Sequence, residues 1–263
     1  MQGDPALLAY EAFAAVYNEF NASNDYEMWV GRTLLPELRK HGLAESGSAL
    51  DVGCGTGRAF RPLLSRGWRV HGCDLSPAML ERAAEEGDGE VRLDVADMRE
   101  LPRFGSFDLV LSLNDSVNYL LGDEDLVPAL AGMGANLADD GLLIFDVNSF
   151  STYAAGYSEV REVEHDGSRW VWSGRGEVAP FVFEARIEGD RLAEPIQHLE
   201  RYRPESEVLA AMGAAGFDTL AALGMGEANG KVVLSPRPDE ERDYKLVFIG
   251  AAASASRFGD GQG

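Results

Sequence analysis

Basic residues are scarce in this chain of 263 residues, which carries 23 Lys and Arg against 44 Asp and Glu and has a formal net charge of −21. Proteins that bind nucleic acids neutralise phosphates with Lys and Arg. The sequence contains no cluster of five or more basic residues. We therefore expect no nucleic-acid partner, with a local basic groove as the alternative.

Cysteine, histidine and long apolar runs are also few. The two cysteines, Cys54 and Cys73, lie at predicted strand ends, and we interpret them as packing residues rather than a disulfide. The four histidines are scattered, and no His-x-x-x-His or Cys-x-x-Cys spacing predicts a metal site. No apolar window of about 18 residues predicts a membrane span, and the N-terminus lacks the basic region of a signal peptide. We expect a cytoplasmic protein with no membrane partner.

Glycines are concentrated in one short motif. Leu50–Gly57 reads Leu-Asp-Val-Gly-Cys-Gly-Thr-Gly, in which Asp51 ends an apolar run and Gly53, Gly55 and Gly57 follow at every second position. Glycine adopts backbone angles that other residues avoid, and it has no side chain to keep a ligand away. The motif predicts a strand-to-helix loop on which a ligand lies against the main chain and faces the amides of the next helix. A plain tight turn is the alternative.

This motif resembles the first motif of the class I S-adenosylmethionine (SAM)-dependent methyltransferases. A dinucleotide fingerprint, G-x-G-x-x-G, would have its last glycine where Arg58 stands, which counts against a nicotinamide adenine dinucleotide (NAD)-dependent oxidoreductase. The resemblance implies SAM as the cofactor. It places Gly53, Gly55 and Gly57 along the aminoacyl end of SAM, and Asp51 near its ammonium group, either directly or through a water molecule.

Acidic residues also end the next two predicted strands. A ribose-binding carboxylate is expected about 20 residues after such a loop. Asp74 stands there, after the strand Trp68–Cys73, and Leu75 follows it. The resemblance implies that Asp74 and Leu75 bind the ribose end of the cofactor, that Asp97 receives the adenine amino group, and that Met98 packs on the adenine ring. A loop acid and a core methionine are the alternative interpretation of the last pair.

A polar stretch follows the fourth predicted strand, Phe107–Ser112. Ligands of open α/β sheets bind outside the carboxyl ends of the strands. We therefore expect Leu113 and Asn114 to contact the cofactor, and we take Asn118 and Tyr119 as candidate catalytic residues near the transferred methyl group. Alternatively, Asn118 and Tyr119 cap and pack the helix that follows.

The alternation of strands and helices between residues 49 and 147 predicts an α/β fold, a doubly wound Rossmann-like sheet of seven strands. N-terminal lid helices precede this sheet, and an antiparallel β-region is inserted in it. The five expected regions are lid helices over 1–42, a SAM-binding core over 43–150, inserted strands over 151–203, completion of the core sheet over 204–252, and a flexible tail over 253–263.

Aromatic residues stand out in the predicted lid. Apolar spacing predicts one helix over Leu7–Phe20 and a second over Asp25–Lys40. The segment that ends in Tyr17 resembles a segment that closes over SAM in small-molecule methyltransferases, which implies that the Tyr17 hydroxyl reaches the SAM carboxylate. Tyr26 and Trp29, one turn apart, would cap the same pocket. Core packing between the two helices is an equal alternative for these aromatic residues.

The predicted insertion holds the remaining candidate. Alternating residues over 160–187 and 196–202, with a hairpin signal at His165–Ser168, predict three or four antiparallel strands. Aminosugar N-methyltransferases carry a similar insertion over the pocket, as do other small-molecule N- and O-methyltransferases. His198 lies on one of these strands and is the candidate general base, although a lone histidine on such a strand is more often structural.

Together these features predict a SAM-dependent enzyme that methylates a nitrogen or an oxygen of a small-molecule acceptor. Methyl transfer from a sulfonium is an in-line displacement, so that alignment of the reacting atoms supplies much of the rate. The candidate catalytic residues are His198, Tyr119 and Asn118. An NAD-dependent oxidoreductase and a non-enzymatic SAM-binding module are the alternatives, and the sequence leaves a homodimer open.

Overall fold

The computed structural model describes residues 3–86, 91–228 and 230–253. The predicted flexible tail, apart from residue 253, lies outside these ranges. The strands are β1 (Ser48–Val52), β2 (Arg69–Asp74), β3 (Arg92–Val95), β4 (Phe107–Ser112), β5 (Leu137–Asn148), β6 (Val160–His165), β7 (Ser168–Ala179), β8 (Val182–Gly189), β9 (Ile196–Arg201), β10 (Phe217–Ala228), β11 (Lys231–Ser235) and β12 (Lys245–Ala252).

Short helices connect these strands. The α-helices are α1 (Pro5–Phe13), α2 (Tyr17–Phe20), α3 (Leu35–Lys40), α4 (Arg61–Leu64), α5 (Pro77–Glu86), α6 (Leu126–Gly134), α7 (Phe150–Gly156) and α8 (Glu205–Ala214). A π-helical segment, Glu27–Leu34, precedes α3, and 3-10 turns cover Met98–Glu100 and Ser116–Tyr119. None of the described helices combines the length and the apolarity needed to span a membrane.

The larger sheet has the strand order β11-β10-β12-β5-β4-β1-β2-β3. Strands β1 to β5 run parallel, and β12 inserts antiparallel between β5 and β10. Buried apolar clusters cover both faces of this sheet, as the near-continuous apolar runs of β1 and β4 require. β1 lies between β2 and β4, so the chain leaves β1 and β4 in opposite directions along the sheet. A ligand crevice is expected at such a switch point, beyond the carboxyl ends of the strands.

The predicted mixed α/β fold with a Rossmann-like sheet is confirmed, but the described residues form a sheet of eight strands instead of seven. The additional strand, β11, pairs antiparallel with the end of β10 over Gly224–Ala228. The residues at 229 and 230 are Asn-Gly, the dipeptide most typical of a two-residue hairpin turn. This local signal was present in the sequence and would have predicted the strand.

The inserted strands form a separate antiparallel sheet in the order β6-β7-β8-β9. The predicted hairpin at His165–Ser168 is confirmed, with Asp166 and Gly167 both at positive φ. Phe13 of α1 packs in one buried cluster with Trp170, Ile187 and Ile196 of this sheet. The inserted sheet therefore packs against α1.

The N-terminal segment is more broken than the periodicity predicts. Asp4 caps α1 by accepting from the amides of Ala6 and Leu7, but α1 ends at Phe13, because Val16 leaves the helical region with φ −125°. β-Branched residues lose side-chain freedom in helices, which favours a break at Val16. The second predicted helix begins as the π-helical segment and becomes α-helical only at α3.

Candidate active site

A cleft of about 880 Å³, partly open to solvent, lies beyond the carboxyl ends of β1, β2 and β4. Its walls come from the lid, the glycine-rich loop and the segments that follow β2, β3 and β4. The predicted residues that line it are Tyr17, Gly53, Gly55, Asp74, Leu75, Asp97, Met98, Leu113, Asn114 and Tyr119. Ten predicted residues from five separate segments therefore meet in one cleft.

The glycine-rich loop leaves β1 with three glycines at positive φ, Gly53 (73°), Gly55 (55°) and Gly57 (81°). A Cβ atom at Gly55 would contact no other atom within 4 Å, so that this residue presents bare backbone to the cleft. A Cβ at Gly57 would lie 2.4 Å from the ring of Phe60, and Gly57 does not line the cleft. Gly55 thus leaves its side of the loop open, whereas the missing side chain of Gly57 lets the loop pack on Phe60.

Asp51 lies beneath this loop and is only 1% exposed. Both of its carboxylate oxygens lack a hydrogen-bond partner among the described residues. Burial, with a smaller contribution from the neighbouring Asp74, raises the pKa of Asp51 to about 8. A buried carboxylate without partners is unfavourable unless a cation or a donor compensates it. The ammonium group of an amino-acid tail that lies on Gly53 and Gly55 fits this requirement.

Asp74 ties the loop to the next helix. Its Oδ2 accepts from the Gly55 amide at 2.8 Å, and its Oδ1 accepts from the Ser76 amide at 2.9 Å. Burial raises the pKa of Asp74, although these backbone donors oppose the increase. Each carboxylate oxygen has a second lone pair. Asp74 can therefore hold the loop in place and still accept from the hydroxyl groups of a ligand such as a ribose.

Asp97 and Met98 line the opposite end of the cleft. Burial of Asp97 opposes its ionisation, but hydrogen bonds with Arg99 outweigh this effect and lower its pKa. The Arg99 guanidinium also binds Asp4 at 2.7 Å, at the start of the lid helix. This carboxylate is therefore charged and rigid, and it connects the predicted adenine pocket to the lid.

The lid places Tyr17 over the cleft, where its hydroxyl oxygen accepts from Asn114 Nδ2 at 3.3 Å. The Thr56 hydroxyl of the glycine-rich loop donates to Asn18 Oδ1 at 2.6 Å. Arg58 donates to the carbonyls of Asn21 and Asn24, at 2.6 and 2.9 Å. These hydrogen bonds join the lid to the glycine-rich loop and to the segment that follows β4.

Tyr119 faces the cleft and contacts His198, one of the predicted catalytic residues. The Tyr119 hydroxyl lies 3.0 Å from His198 Nδ1. Rings of Tyr10, Phe13 and Trp172 surround the imidazole, whose Nε2 has no partner among the described residues. Burial lowers the pKa of His198 to about 4, so that it is neutral at pH 7.

Besides Asp51 and Gly57, three other predicted residues do not line the cleft. Asn118 is buried, and its amide donates to the Arg201 carbonyl and accepts from the Asn148 amide, so that it joins β9 to β5. Trp29 packs in the core below the sheet, 5.4 Å from Tyr26, and the cleft is lined instead by Tyr26. His198 reaches the cleft only through Tyr119.

The sequence does not predict twelve of the lining residues, and half of these lie on the lid or form hydrogen bonds with it. They are Asp4, Ala6, Tyr10, Val52, Cys54, Thr56, Arg58, Ala59, Ala96, Arg99, Ser116 and Leu120. Arg58 had the clearest signal, because it stands at the position of the last glycine in a dinucleotide fingerprint. Tyr10 had none beyond its place on the lid helix. Among the described residues, no cluster of His, Cys, Asp or Glu could hold a metal ion.

Comparisons with known proteins bear on the family and the fold of the chain. The profile of a family described as a methyltransferase domain matches residues 49–141. The methyltransferase-named protein YqeM of Bacillus subtilis (strain 168) is 32% identical over 192 residues, which are 64% of this chain and 75% of that protein. A glycine/sarcosine N-methyltransferase of Parasynechococcus marenigrum (strain WH8102) is 38% identical over 149 residues, 54% of this chain and 50% of its own length.

A dTDP-3-amino-3,4,6-trideoxy-alpha-D-glucopyranose N,N-dimethyltransferase of Streptomyces venezuelae is 28% identical over 155 residues, 59% of this chain and 65% of its own. The chain thus spans between half and three quarters of the length of these relatives. Among solved structures, an S-adenosylmethionine-dependent methyltransferase from Clostridium acetobutylicum ATCC 824 superposes with a TM-score of 0.74 at 21% identity, covering 93% of this chain and 99% of that one. The comparisons do not favour the oxidoreductase alternative.

Proposed function

Because the chain belongs to the class I SAM-dependent methyltransferases, we propose that it transfers the methyl group of SAM to the nitrogen of a small-molecule amine. SAM supplies an activated methyl group on a positively charged sulfur. Alignment of this carbon with a nucleophile in a site that excludes water contributes up to about 7–11 kcal/mol in favourable cases. The residues of the cleft therefore have to bind and orient SAM and the acceptor, and to exclude water.

The residues around the cleft suit the parts of SAM in order along its length. We assign the ammonium group to Asp51, the aminoacyl backbone to Gly53 and Gly55, and the ribose hydroxyls to Asp74. The adenine amino group would then reach Asp97. The partnerless oxygens of Asp51 and the open space at Gly55 support this direction of binding.

The protonation states of the side chains around Tyr119 support nitrogen rather than oxygen as the acceptor atom. Burial raises the pKa of Tyr10, Tyr17 and Tyr119 well above the usual value, and it lowers that of His198 to about 4. All four side chains are consequently uncharged at pH 7 and are poor bases there. An alcohol requires a base to become a good nucleophile, whereas an amine that arrives neutral needs little acid–base help.

Tyr119 and His198 would then orient the acceptor. With the neutral imidazole protonated on Nε2, Nδ1 accepts from the Tyr119 hydroxyl. The Tyr119 oxygen keeps its lone pairs for an N–H of the amine, which aims the nitrogen lone pair at the methyl group. Asn118 supports this region through β9 and β5 and is assigned a positioning role.

Two observations support a small acceptor. The names of two relatives specify nitrogen acceptors on small molecules, glycine or sarcosine in one and an amino sugar in the other. The net charge of −21 disfavours the approach of a polyanion such as RNA. Both support the proposal that the acceptor is a small amine.

The test offers the enzyme matched pairs of acceptors with methyl-labelled SAM. Each pair shares one skeleton and differs only in an amino or a hydroxyl group, such as glycine with glycolate, or an amino sugar with its hydroxy parent. Label should enter the amines, at a rate that rises with pH as the neutral amine fraction grows. Label found only in alcohols would contradict the nitrogen assignment, and label in an added RNA pool would contradict the small acceptor. Gly55→Val protein, in which the cofactor loop is blocked, controls for background transfer.

A further inference from the structure

Two consecutive residues after β4 are held in the left-handed backbone region. Asn114 has φ 62° and Asp115 has φ 58°. Residues other than glycine rarely adopt this conformation, and two in succession persist only where the surroundings hold them. Such strained residues cluster at functional sites, and Asn114 of this pair lines the cleft.

A buried carboxylate holds this strained pair. Asp146, on β5 and fully buried, accepts from the Asn114 amide at 2.6 Å through Oδ1 and from the Asp115 amide at 3.0 Å through Oδ2. One carboxylate thus binds the amide groups of both left-handed residues. Because its two oxygens accept from two consecutive amides, Asp146 holds the backbone of both residues, which an acceptor bound to one amide would not do.

A buried lysine completes the arrangement. Lys245, on the neighbouring β12, donates from Nζ to Asp146 Oδ2 at 2.6 Å and to Asp115 Oδ1 at 2.5 Å. Removing one member of such a buried charge cluster leaves the others without compensation. Lys245 therefore neutralises Asp146 and also pulls Asp115 toward the sheet.

The turn orients the residues that face the cleft. Asn114 donates to the hydroxyl of Tyr17 on the lid. The Ser116 hydroxyl donates to the Leu113 carbonyl at 2.9 Å and also lies 3.3 Å from the Gly53 carbonyl of the glycine-rich loop. Tyr119 follows on the same 3-10 turn and lines the cleft. A change in the turn would displace contacts to the lid, to the cofactor loop and to Tyr119 together.

We propose that Asp146 and Lys245 are positioning residues that hold the left-handed turn at Asn114–Asp115, so that Asn114 and Tyr119 face the donor and the acceptor. We call this pair the Asp146–Lys245 clamp. The part that concerns Tyr119 rests on the proposed function. The part that concerns cofactor binding does not, because binding of S-adenosylhomocysteine (SAH) reports on it whatever the acceptor is.

The first experiment compares two substitutions at one position. Asp115→Gly accepts positive φ freely, whereas Asp115→Val, with a β-branched side chain, resists it. Both remove the contact with Lys245. We expect SAH affinity, measured by calorimetry, to stay within threefold of native in Asp115→Gly and to fall at least tenfold in Asp115→Val. Equal affinities in the two variants would overturn the requirement for the left-handed turn.

The second experiment removes the cation. Lys245→Met leaves the buried Asp146 carboxylate facing the partly exposed Asp115 carboxylate without a cation between them, so that the turn opens. We expect SAH affinity to fall at least tenfold, while Lys231→Met, a change at an exposed lysine of β11, leaves affinity and melting temperature native. Adding Asp115→Gly to Lys245→Met removes the repulsion and relaxes the backbone, which should restore affinity to within threefold of native.

Recovery of SAH affinity in the double variant distinguishes positioning from general stability. If Lys245 only stabilised the fold, the loss of a second charged residue would not restore binding. A double variant that binds no better than Lys245→Met would overturn the proposal, as would native affinity in folded Lys245→Met. If Lys245→Met does not fold, the comparison at position 115 decides. Native protein that binds SAH but methylates no amine would refute the proposed function and leave both clamp experiments readable.

Discussion

The sharpest prediction concerns Asp51, whose carboxyl group is buried and has no hydrogen-bond partner among the described residues. The pKa of Asp51 is about 8, against an ordinary value of 3.8. A tenfold change in an acid constant corresponds to about 1.4 kcal/mol. Ionised Asp51 therefore destabilises the cofactor-free protein by about 6 kcal/mol at pH values above 8.

The sign of the pH dependence follows from the raised pKa. A carboxyl group that binds its proton more tightly when folded contributes stability that is complete below the unfolded pKa, near pH 4, and is lost as the pH rises toward 8. Asp51→Asn removes this titration. Asparagine should therefore raise the free energy of unfolding relative to the native chain, by an amount that grows by several kcal/mol between pH 4.5 and pH 8.5.

The same substitution should weaken cofactor binding at least tenfold, because the SAM ammonium group loses its countercharge. Urea unfolding of cofactor-free protein at several pH values gives the stability, and calorimetry with SAH gives the affinity. Asp140→Asn, at an exposed position of β5, is the control and should change neither quantity. Parallel pH profiles for native and Asp51→Asn protein would refute the buried charge, and unchanged SAH affinity would refute its assignment to the ammonium group.

Three further substitutions test separate parts of the cleft. Asp74→Ala should weaken SAM binding at least tenfold without unfolding the protein, and unchanged affinity would remove the ribose assignment. Gly55→Val should abolish SAH binding, whereas Gly67→Val, also at positive φ with open space around it but exposed and remote from the cleft, should preserve binding. Tyr119→Phe should lower kcat for the amine at least tenfold while SAH affinity stays within threefold of native, and an unchanged kcat would exclude the hydroxyl from orienting the acceptor.

Residues close together in the sequence predicted much of the lining of the cleft. Gly53, Gly55 and Asp74 were predictable because the loop occupies consecutive residues and its acid follows at a characteristic spacing. The alternation of elements likewise predicted the parallel strands and the inserted antiparallel sheet. Both features can be predicted because they depend on residues that are close together in the sequence.

Contacts between distant segments were not predictable. Tyr119 and His198, 79 residues apart, were each candidates, but nothing in the sequence showed that one reaches the cleft through the other. Asp146 follows an apolar run of β5 and Lys245 is the first residue of β12, and their pairing depends on the antiparallel insertion of β12 beside β5.

Helix geometry accounts for the placement of Trp29. The sequence predicts an ordinary α-helix, in which Tyr26 and Trp29 lie one turn apart and face the same pocket. Trp29 lies instead within the π-helical segment, whose wider turns rotate successive side chains differently. Tyr26, just before that segment, lines the cleft, while Trp29 enters the core.

A crystal structure with bound SAH tests the account most directly. It should show the SAH ammonium group against Asp51, its aminoacyl chain on the bare backbone of Gly53 and Gly55, its ribose hydroxyls on Asp74, and its sulfur toward Tyr119. A ligand bound in the reverse direction, or outside this cleft, would contradict the assignment of every residue named for the cofactor.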